Sequence, residues 1–131
     1  MNFYTTDLPG ILKLEPRVHK DNRGYLFESY SKKEIDKFIN DLQLNFGYQL
    51  KLNANQYMDL DLNSSTSLIR CIIGKVELNI ISINKKILLT DIISDKEYFQ
   101  YLIPKGYKVS LKSLSEETVL EIQSDKELSW P

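Results

Sequence analysis

The sequence predicts an all-β jelly roll with one short N-terminal helix, and three observations carry the prediction. From Phe46 to Gln123 the chain is mostly short runs of alternating apolar and polar residues, the period of strands with one buried face. Turn chemistry separates these runs: Gly74-Lys75, Asn84-Lys85, Pro104 to Gly106, and Ser115 to Glu117. Only the stretch from Ser31 to Ile39 has convincing helical spacing. About eight short strands with a single early helix describe a sandwich or barrel, of which the jelly roll is the natural member.

The elements follow in order. DLPG at 7–10 is a turn, and ILKLEP at 11–16 is a strand that must stop before Pro16. KDNRG at 20–24 is a tight turn, after which YLFESY returns as a strand. Strict alternation puts Leu26 and Glu28 on one side and Tyr25, Phe27 and Ser29 on the other. SKKE at 31–34 forms a capping box, with Ser31 accepting from the third helical N–H and Glu34 reaching back. Ile35, Phe38 and Ile39 then predict a helix of two to three turns docked by that stripe. Further on, FGYQLKLNANQYMDLDLN, LIRCIIGKVELNIISI, KILLTDI, YFQYLIPKGYKVSLKSL and TVLEIQ supply the strands, and WP closes the sequence.

At 131 residues the chain fits one domain, residues 1–131, burying roughly two-thirds of the surface of its unfolded form. Seventeen basic and eighteen acidic residues give a net charge of -1, with no basic concentration to suggest a nucleic-acid or anionic-membrane partner. MNFYTTDLPG lacks the basic start and apolar run of a signal peptide, and no segment is long and apolar enough to span a bilayer. The expectation is a soluble, cytoplasmic protein. One cysteine and one histidine exclude the common zinc sites, so no metal and no cofactor are expected. Cys71, inside LIRCII, reads as a buried and inert thiol in a reducing compartment.

Few side chains remain for chemistry, and each has a plain structural reading beside a functional one. Arg23 and Gly24 in the turn suit a phosphate gripped by a guanidinium, or form a solvated turn. Glu28, among Tyr25, Phe27 and Tyr30, could pair with a base N–H or an arginine, or face water. Arg70 within an apolar strand must be paired, snorkelling or lining a cavity, and it shares a face with Leu68 opposite Ile69 and Cys71. Asp59 and Asp61 point the same way and could act as acid and base or bind a hard cation, or could be a solvated pair. Tyr57 and Tyr107 are further acid–base candidates, although a tyrosine near its ordinary pKa of about 10 is a poor base. His19 reads as a loop histidine. The abundance of tyrosine suits half-buried edges and interfaces and favours a homodimer.

The segment DLPGILKLEPRVHKDNRGYLFESYSKKEIDKF resembles the opening of the dTDP-4-dehydrorhamnose 3,5-epimerase family. SLIRCIIGKVELNI, QYLIPKGYKVSLKSL and the terminal LSWP are similar to later landmarks of that family. The resemblance implies a cupin jelly roll (a double-stranded β-helix), usually dimeric, with residues 1–30 exchanged with or packed on a partner. It also implies a dTDP-sugar ligand and a place in surface-polysaccharide sugar synthesis. Arg23 and Glu28 match family residues that contact the phosphate and the thymine base. Arg70 matches a central-strand arginine from which the cavity could be lined.

The family's reaction is a double epimerisation that needs a base, a stabilised oxyanion and a proton donor. Its catalytic residues have no counterparts here. Ala54 and Tyr57 stand near the positions of its arginine and base histidine. Ser67 stands for its lysine, Val109 for a second histidine, and Lys126 and Glu127 for its tyrosine pair. Leu26 replaces an aromatic residue that packs on the nucleotide. The expectation is therefore a catalytically inactive, nucleotide-sugar-binding or accessory member, acting as a homodimer or with a homologous chain. The alternative is an active epimerase or ketoisomerase with a relocated acid–base pair drawn from Tyr57, Asp59 and Tyr107.

Overall fold

The computed structural model describes residues 1–82, 84 and 88–130. Twelve strands and one helix are present among them: β1 (Asn2–Thr5), β2 (Leu12–Glu15), β3 (Val18–Asp21), β4 (Gly24–Phe27), α1 (Lys32–Ile35), β5 (Phe46–Asn53), β6 (Tyr57–Leu62), β7 (Ser67–Ile73), β8 (Lys75–Ser82), β9 (Leu88–Ser94), β10 (Gln100–Ile103), β11 (Tyr107–Ser113) and β12 (Glu117–Ser124). They form a six-stranded sheet in the order β1-β2-β10-β7-β12-β5 and a four-stranded sheet in the order β6-β11-β8-β9. β3 and β4 pair only with each other among the described strands. This is the jelly-roll arrangement that alternation implied. β1 escaped the sequence reading because NFYT is too short to show a period. The Asn84-Lys85 turn joins strands that do pair, but Lys85 lies outside the described residues.

The two sheets face each other across an aliphatic interior. Leu60 and Leu62 from β6, Val76, Leu78 and Ile80 from β8, and Val109 and Leu111 from β11 meet Ile69, Ile103, Leu120 and Ile122 of the larger sheet. All of these are at most 7% exposed, so the space between the sheets is filled with side chains. Cys71 belongs to this core, and burial is the main cause lifting its thiol pKa to about 12. Ile69 and Cys71 point inward, while Leu68 lies in a second apolar cluster outside the larger sheet with Leu12, Leu14, Leu102, Ile35 and Leu42.

The helix covers that second cluster but is shorter than its spacing implied. Ser31 caps it, accepting from the Glu34 N–H at 3.2 Å, but the Glu34 carboxylate takes Lys37 as partner instead of reaching back. After Ile35 the chain tightens: the N–H groups of Lys37 and Phe38 bond three residues back, to Glu34 and Ile35. A tightened turn rotates Phe38 half out of the cluster, where its ring meets Phe3 at 4.3 Å. Asp36, Asn40 and Asp41 are weak helix formers, and Asp41 takes φ 56°, so regular helix ends early.

A turn fixes one end of the barrel. Gly74, between β7 and β8, has φ +86°, and a Cβ there would lie 2.2 Å from the Glu117 carbonyl oxygen and 2.4 Å from Ser115 Oγ. The close approach lets hydroxyls from the β11–β12 turn reach Lys75: its N–H donates to Ser115 Oγ at 3.1 Å, and its carbonyl accepts from Thr118 Oγ1 at 3.0 Å. A second clasp joins the sheets at mid-height. Lys13 on β2 and Tyr101 on β10 both donate to Asp91 Oδ2 on β9, with Lys13 at 2.7 Å and its ammonium 4.4 Å from the Phe99 ring centre. Burial opposes the charge on Asp91, but the bonds from Lys13 and Tyr101 outweigh it and hold the carboxyl below its ordinary value. Burial, with Asp91 adding to it, drives the Tyr101 hydroxyl pKa upward.

Two outcomes follow. Gly74→Ala is expected to lower stability by more than about 1 kcal/mol, seen as a lower urea midpoint at unchanged slope, because it adds both strain and a clash. Gly47→Ala, where a Cβ meets nothing within 4 Å, is the matched control and shifts stability by less than about 0.5 kcal/mol. For the clasp, the depressed Asp91 value means stability present above the ordinary carboxyl value of 3.8 and lost as pH falls through the folded one. The raised Tyr101 value means stability present below 10.0 and lost as pH rises through the folded one. Urea midpoints measured from pH 2 to 11 should show Asp91→Asn flattening part of the acid limb and Tyr101→Phe part of the alkaline limb.

Candidate functional site

The predicted site residues separate into two groups, and the topology explains why. Arg23 and Gly24 sit at the tip of the β3–β4 hairpin, in an open depression of about 510 Å³ shared with His19, Lys20, Asp21, Tyr25 and Leu26. Asp21 begins the turn: its Oδ1 accepts the Arg23 backbone N–H at 2.8 Å, and its carboxylate takes the Arg23 guanidinium through Nε and Nη2, the latter at 2.5 Å. This is an Asx turn with an ion pair added. The arginine's hydrogen bonds hold the Asp21 carboxyl below its usual range, and the carboxylate raises the arginine. The Arg23 side chain is nevertheless 87% exposed, so the pair is solvated and exchangeable. Gly24 takes φ +148°, and nothing lies within 4 Å of where its Cβ would be, which leaves open backbone beside the guanidinium.

Glu28 is exposed but does not sit on a strand face with Leu26, as alternation had placed it. β4 ends at Phe27, which pairs with Val18. Two residues before Val18 stands Pro16, which has no N–H to continue the ladder. Phe27 turns its ring under the hairpin, where it meets Tyr25 and Tyr98 at centroid distances of 6.0 and 5.2 Å. Lys20 lies over the Tyr98 ring at 5.2 Å.

Arg70 is found beneath this aromatic group, on the outer face of the larger sheet and not toward the interior. Its guanidinium carbon is 5.7 Å from the Phe27 ring centre, and Nη2 donates to Glu121 Oε2 at 3.3 Å. Cross-strand register puts Gln100 and Glu121 on either side of it. Arg70 Nε and both polar atoms of the Gln100 amide are buried without a hydrogen-bond partner among the described residues. Sequence reading missed Gln100, Glu121 and Tyr98, whose positions depend on register. Asp21 it could have found, from its place two residues before Arg23 in a turn.

The acid–base candidates do not converge. Tyr107 faces inward from β11 and donates its hydroxyl to the Pro9 carbonyl at 2.5 Å, while burial raises its pKa. Tyr57, 70% exposed, and Asp59 lie on the opposite, outer face of the four-stranded sheet. Asp59 and Asp61 border a groove of about 590 Å³ there, with Lys126 and Glu127 on its rim. Ser67 hydrogen-bonds Ser124 inside the larger sheet, Val109 is core, and Ala54 is an exposed turn residue. His19 is exposed on the hairpin, away from the barrel interior.

Comparison with known proteins agrees with the fold. The chain is 28% identical over 81 residues to the dTDP-4-dehydrorhamnose 3,5-epimerase of Shigella flexneri, a match covering 58% of this chain and 45% of that protein. The chain thus matches less than half the length of that curated relative. The dTDP-4-dehydrorhamnose 3,5-epimerase from Bacillus anthracis str. Ames, solved with TDP and PPi bound, superposes with a TM-score of 0.89 at 24% identity, over 98% of this chain and 79% of that one. The dTDP-6-deoxy-D-glucose-3,5-epimerase from Legionella pneumophila Philadelphia 1, in complex with dTDP-4-keto-L-rhamnose, gives 0.86 at 16% identity, over 96% and 72%. Such structural likeness identifies a cupin jelly roll. Residues 5–129 also match the family profile described as dTDP-4-dehydrorhamnose 3,5-epimerase, and the chain belongs to that family.

Proposed function

We propose that this protein binds a nucleotide-sugar through its N-terminal hairpin and does not carry out the proton abstraction that the family's reaction requires. The observation that carries the second half is the aliphatic filling of the barrel. Leu60, Leu62, Val109 and Leu111 occupy the inner face of the smaller sheet, and the sole histidine lies outside on the hairpin. A keto-sugar would find no volume there and no base near neutral pH.

Support for binding comes from the hairpin and from relatives solved with TDP or a dTDP-sugar. Arg23 and Glu28 bracket β4, five residues apart, or about 16 Å of extended chain. An elongated ligand with its diphosphate at Arg23 and its base at Glu28 would lie along the strand past Tyr25 and Leu26. Leu26 offers a weaker surface than an aromatic ring, which lowers the expected affinity. Arg70 and Gln100, beneath Phe27, supply the polar floor. In this reading residues 1–30, the hairpin among them, are exchanged with or packed on a partner, whether a second copy or a homologous chain.

A second reading is favoured by the relatives, which are epimerases. In that reading the acid–base pair has moved to Tyr57 and Asp59 on the outer face, because Tyr107 is committed to Pro9.

Calorimetric titration with dTDP tests the binding, and two substitutions give it direction. Arg23→Ala should weaken binding about tenfold, in line with one lost charge-assisted contact. Asp21→Asn should tighten it, since it releases the guanidinium and removes a like charge from beside the phosphates. No saturable heat with dTDP would defeat the proposal. Solvent deuterium entering a dTDP-4-keto-6-deoxy sugar at catalytic protein concentration, and lost in Asp59→Asn, would establish the second reading in its place.

A further inference from the structure

We infer that the outer face of the four-stranded sheet is a binding surface for a neutral, polyhydroxylated ligand, of the class of an uncharged oligosaccharide. The inference is independent of the nucleotide reading, which concerns the other sheet and the hairpin. Strand register arranges two parallel rows across this face. One runs Asp59, Ser110, Asn79, Thr90, and the next runs Asp61, Lys108, Ile81, Leu88. With strands about 4.8 Å apart, each row is about 14 Å long, room for more than one sugar ring.

The first row contains only oxygen- and amide-bearing side chains. Thr90 donates to Asn79 Oδ1 at 2.8 Å, and Asn79 donates to Glu77 Oε1 at 2.9 Å, which fixes the amide orientation. Among the described residues Asp59, Ser110 and Lys108 have no side-chain hydrogen bond within the protein, so their donors and acceptors face the groove unspent. The second row ends in Ile81 and Leu88, both exposed, and Tyr57 lies on the same face two residues before Asp59. Apolar surfaces beside convergent hydroxyl partners suit a sugar, which has C–H faces and a hydroxyl rim.

The groove, about 590 Å³, is deepened on one side by the 126–129 segment and the 63–65 turn. Ser65 in that turn lines the groove and is 3% exposed, yet its Oγ has no partner among the described residues. A buried hydroxyl in that state is costly unless a further group meets it.

Charge and geometry decide against other ligand classes. Asp59, Asp61 and Glu127 face Lys108 and Lys126, a near balance that gives no attraction to phosphate. No group of three His, Cys, Asp or Glu residues among the described ones is placed to hold a metal ion. What remains is a neutral ligand held by many hydrogen bonds, which this mixture of carboxylate, amide, hydroxyl and ammonium can supply.

The test uses the full chain. An array of neutral and acidic oligosaccharides selects the best-bound glycan, and a 15N NMR titration with that glycan locates it. Saturable shifts should fall on Asp59, Asp61, Asn79, Lys108 and Ser110 and on residues 126–129. Ser110→Trp, which fills the groove from an outward position, should weaken binding at least tenfold and leave dTDP binding unchanged. Asn79→Ala, the milder variant, should weaken it severalfold. Absence of binding to any neutral glycan, shifts confined to residues 19–26, or shifts at these positions on adding inorganic phosphate would each overturn the inference. So would concentration-dependent shifts of the same residues without sugar, which would mark the face as a contact between copies.

Discussion

Everything in this molecule is arranged around the aliphatic packing between its two sheets. In a jelly roll the inward side chains of both sheets meet over about 10 Å, and whatever they are decides whether the barrel holds a ligand or only itself. Here leucine, isoleucine and valine dominate these positions, and they close the space. Each buried aliphatic group of that size contributes about 1.5–3 kcal/mol relative to exposure, far above what a surface ion pair adds. The packing that holds the fold together also fills most of the space between the sheets, and the polar groups found there, Lys13, Asp91 and Tyr101, are spent on one another.

That constraint also explains what could be read in advance. Alternation is clearest in β6, β8 and β11, where one face lies on the aliphatic interior and burial follows the period of two, whereas β10, covered on both faces, is read from its apolar run and the Pro104 to Gly106 bend. It failed where another rule governs. β1 has four residues and pairs at a sheet edge, too short for a pattern. β4 stops at Phe27 because its partner strand begins just after Pro16, a limit set by the other strand. The helix ends early through local competition that its apolar spacing does not record.

The site was less legible than the fold, for a related reason. Arg23 and Gly24 stood out because a turn is a local object whose chemistry lies in five consecutive residues. Arg70 was correctly paired with Leu68 on one face, but which face looked inward depended on the second apolar cluster, built from β2, β10 and the helix region. Tyr57, Asp59 and Tyr107 are acid–base candidates by residue type alone, and they fall on neighbouring strands, β6 and β11. Register and pleat put Tyr107 on one side of the sheet and the other two on the opposite side. Adjacent strands bring residues close only when their parity agrees.

The hairpin brings these points together. A two-stranded ribbon is marginally stable in water, and among the described strands β3–β4 has no third to complete it. It is held at its base by Phe27 against Tyr98 and Arg70, while Tyr25 and Leu26 stay largely exposed toward the tip. Among the described residues its strong polar contact at the tip, Arg23 with Asp21, is internal to the turn. Tyr25 and Leu26 therefore leave apolar surface open to water that can be covered without disturbing the barrel. An element packed outside the sheets in this way can be covered or uncovered at no cost to the aliphatic packing between them, because none of its residues belongs to that core.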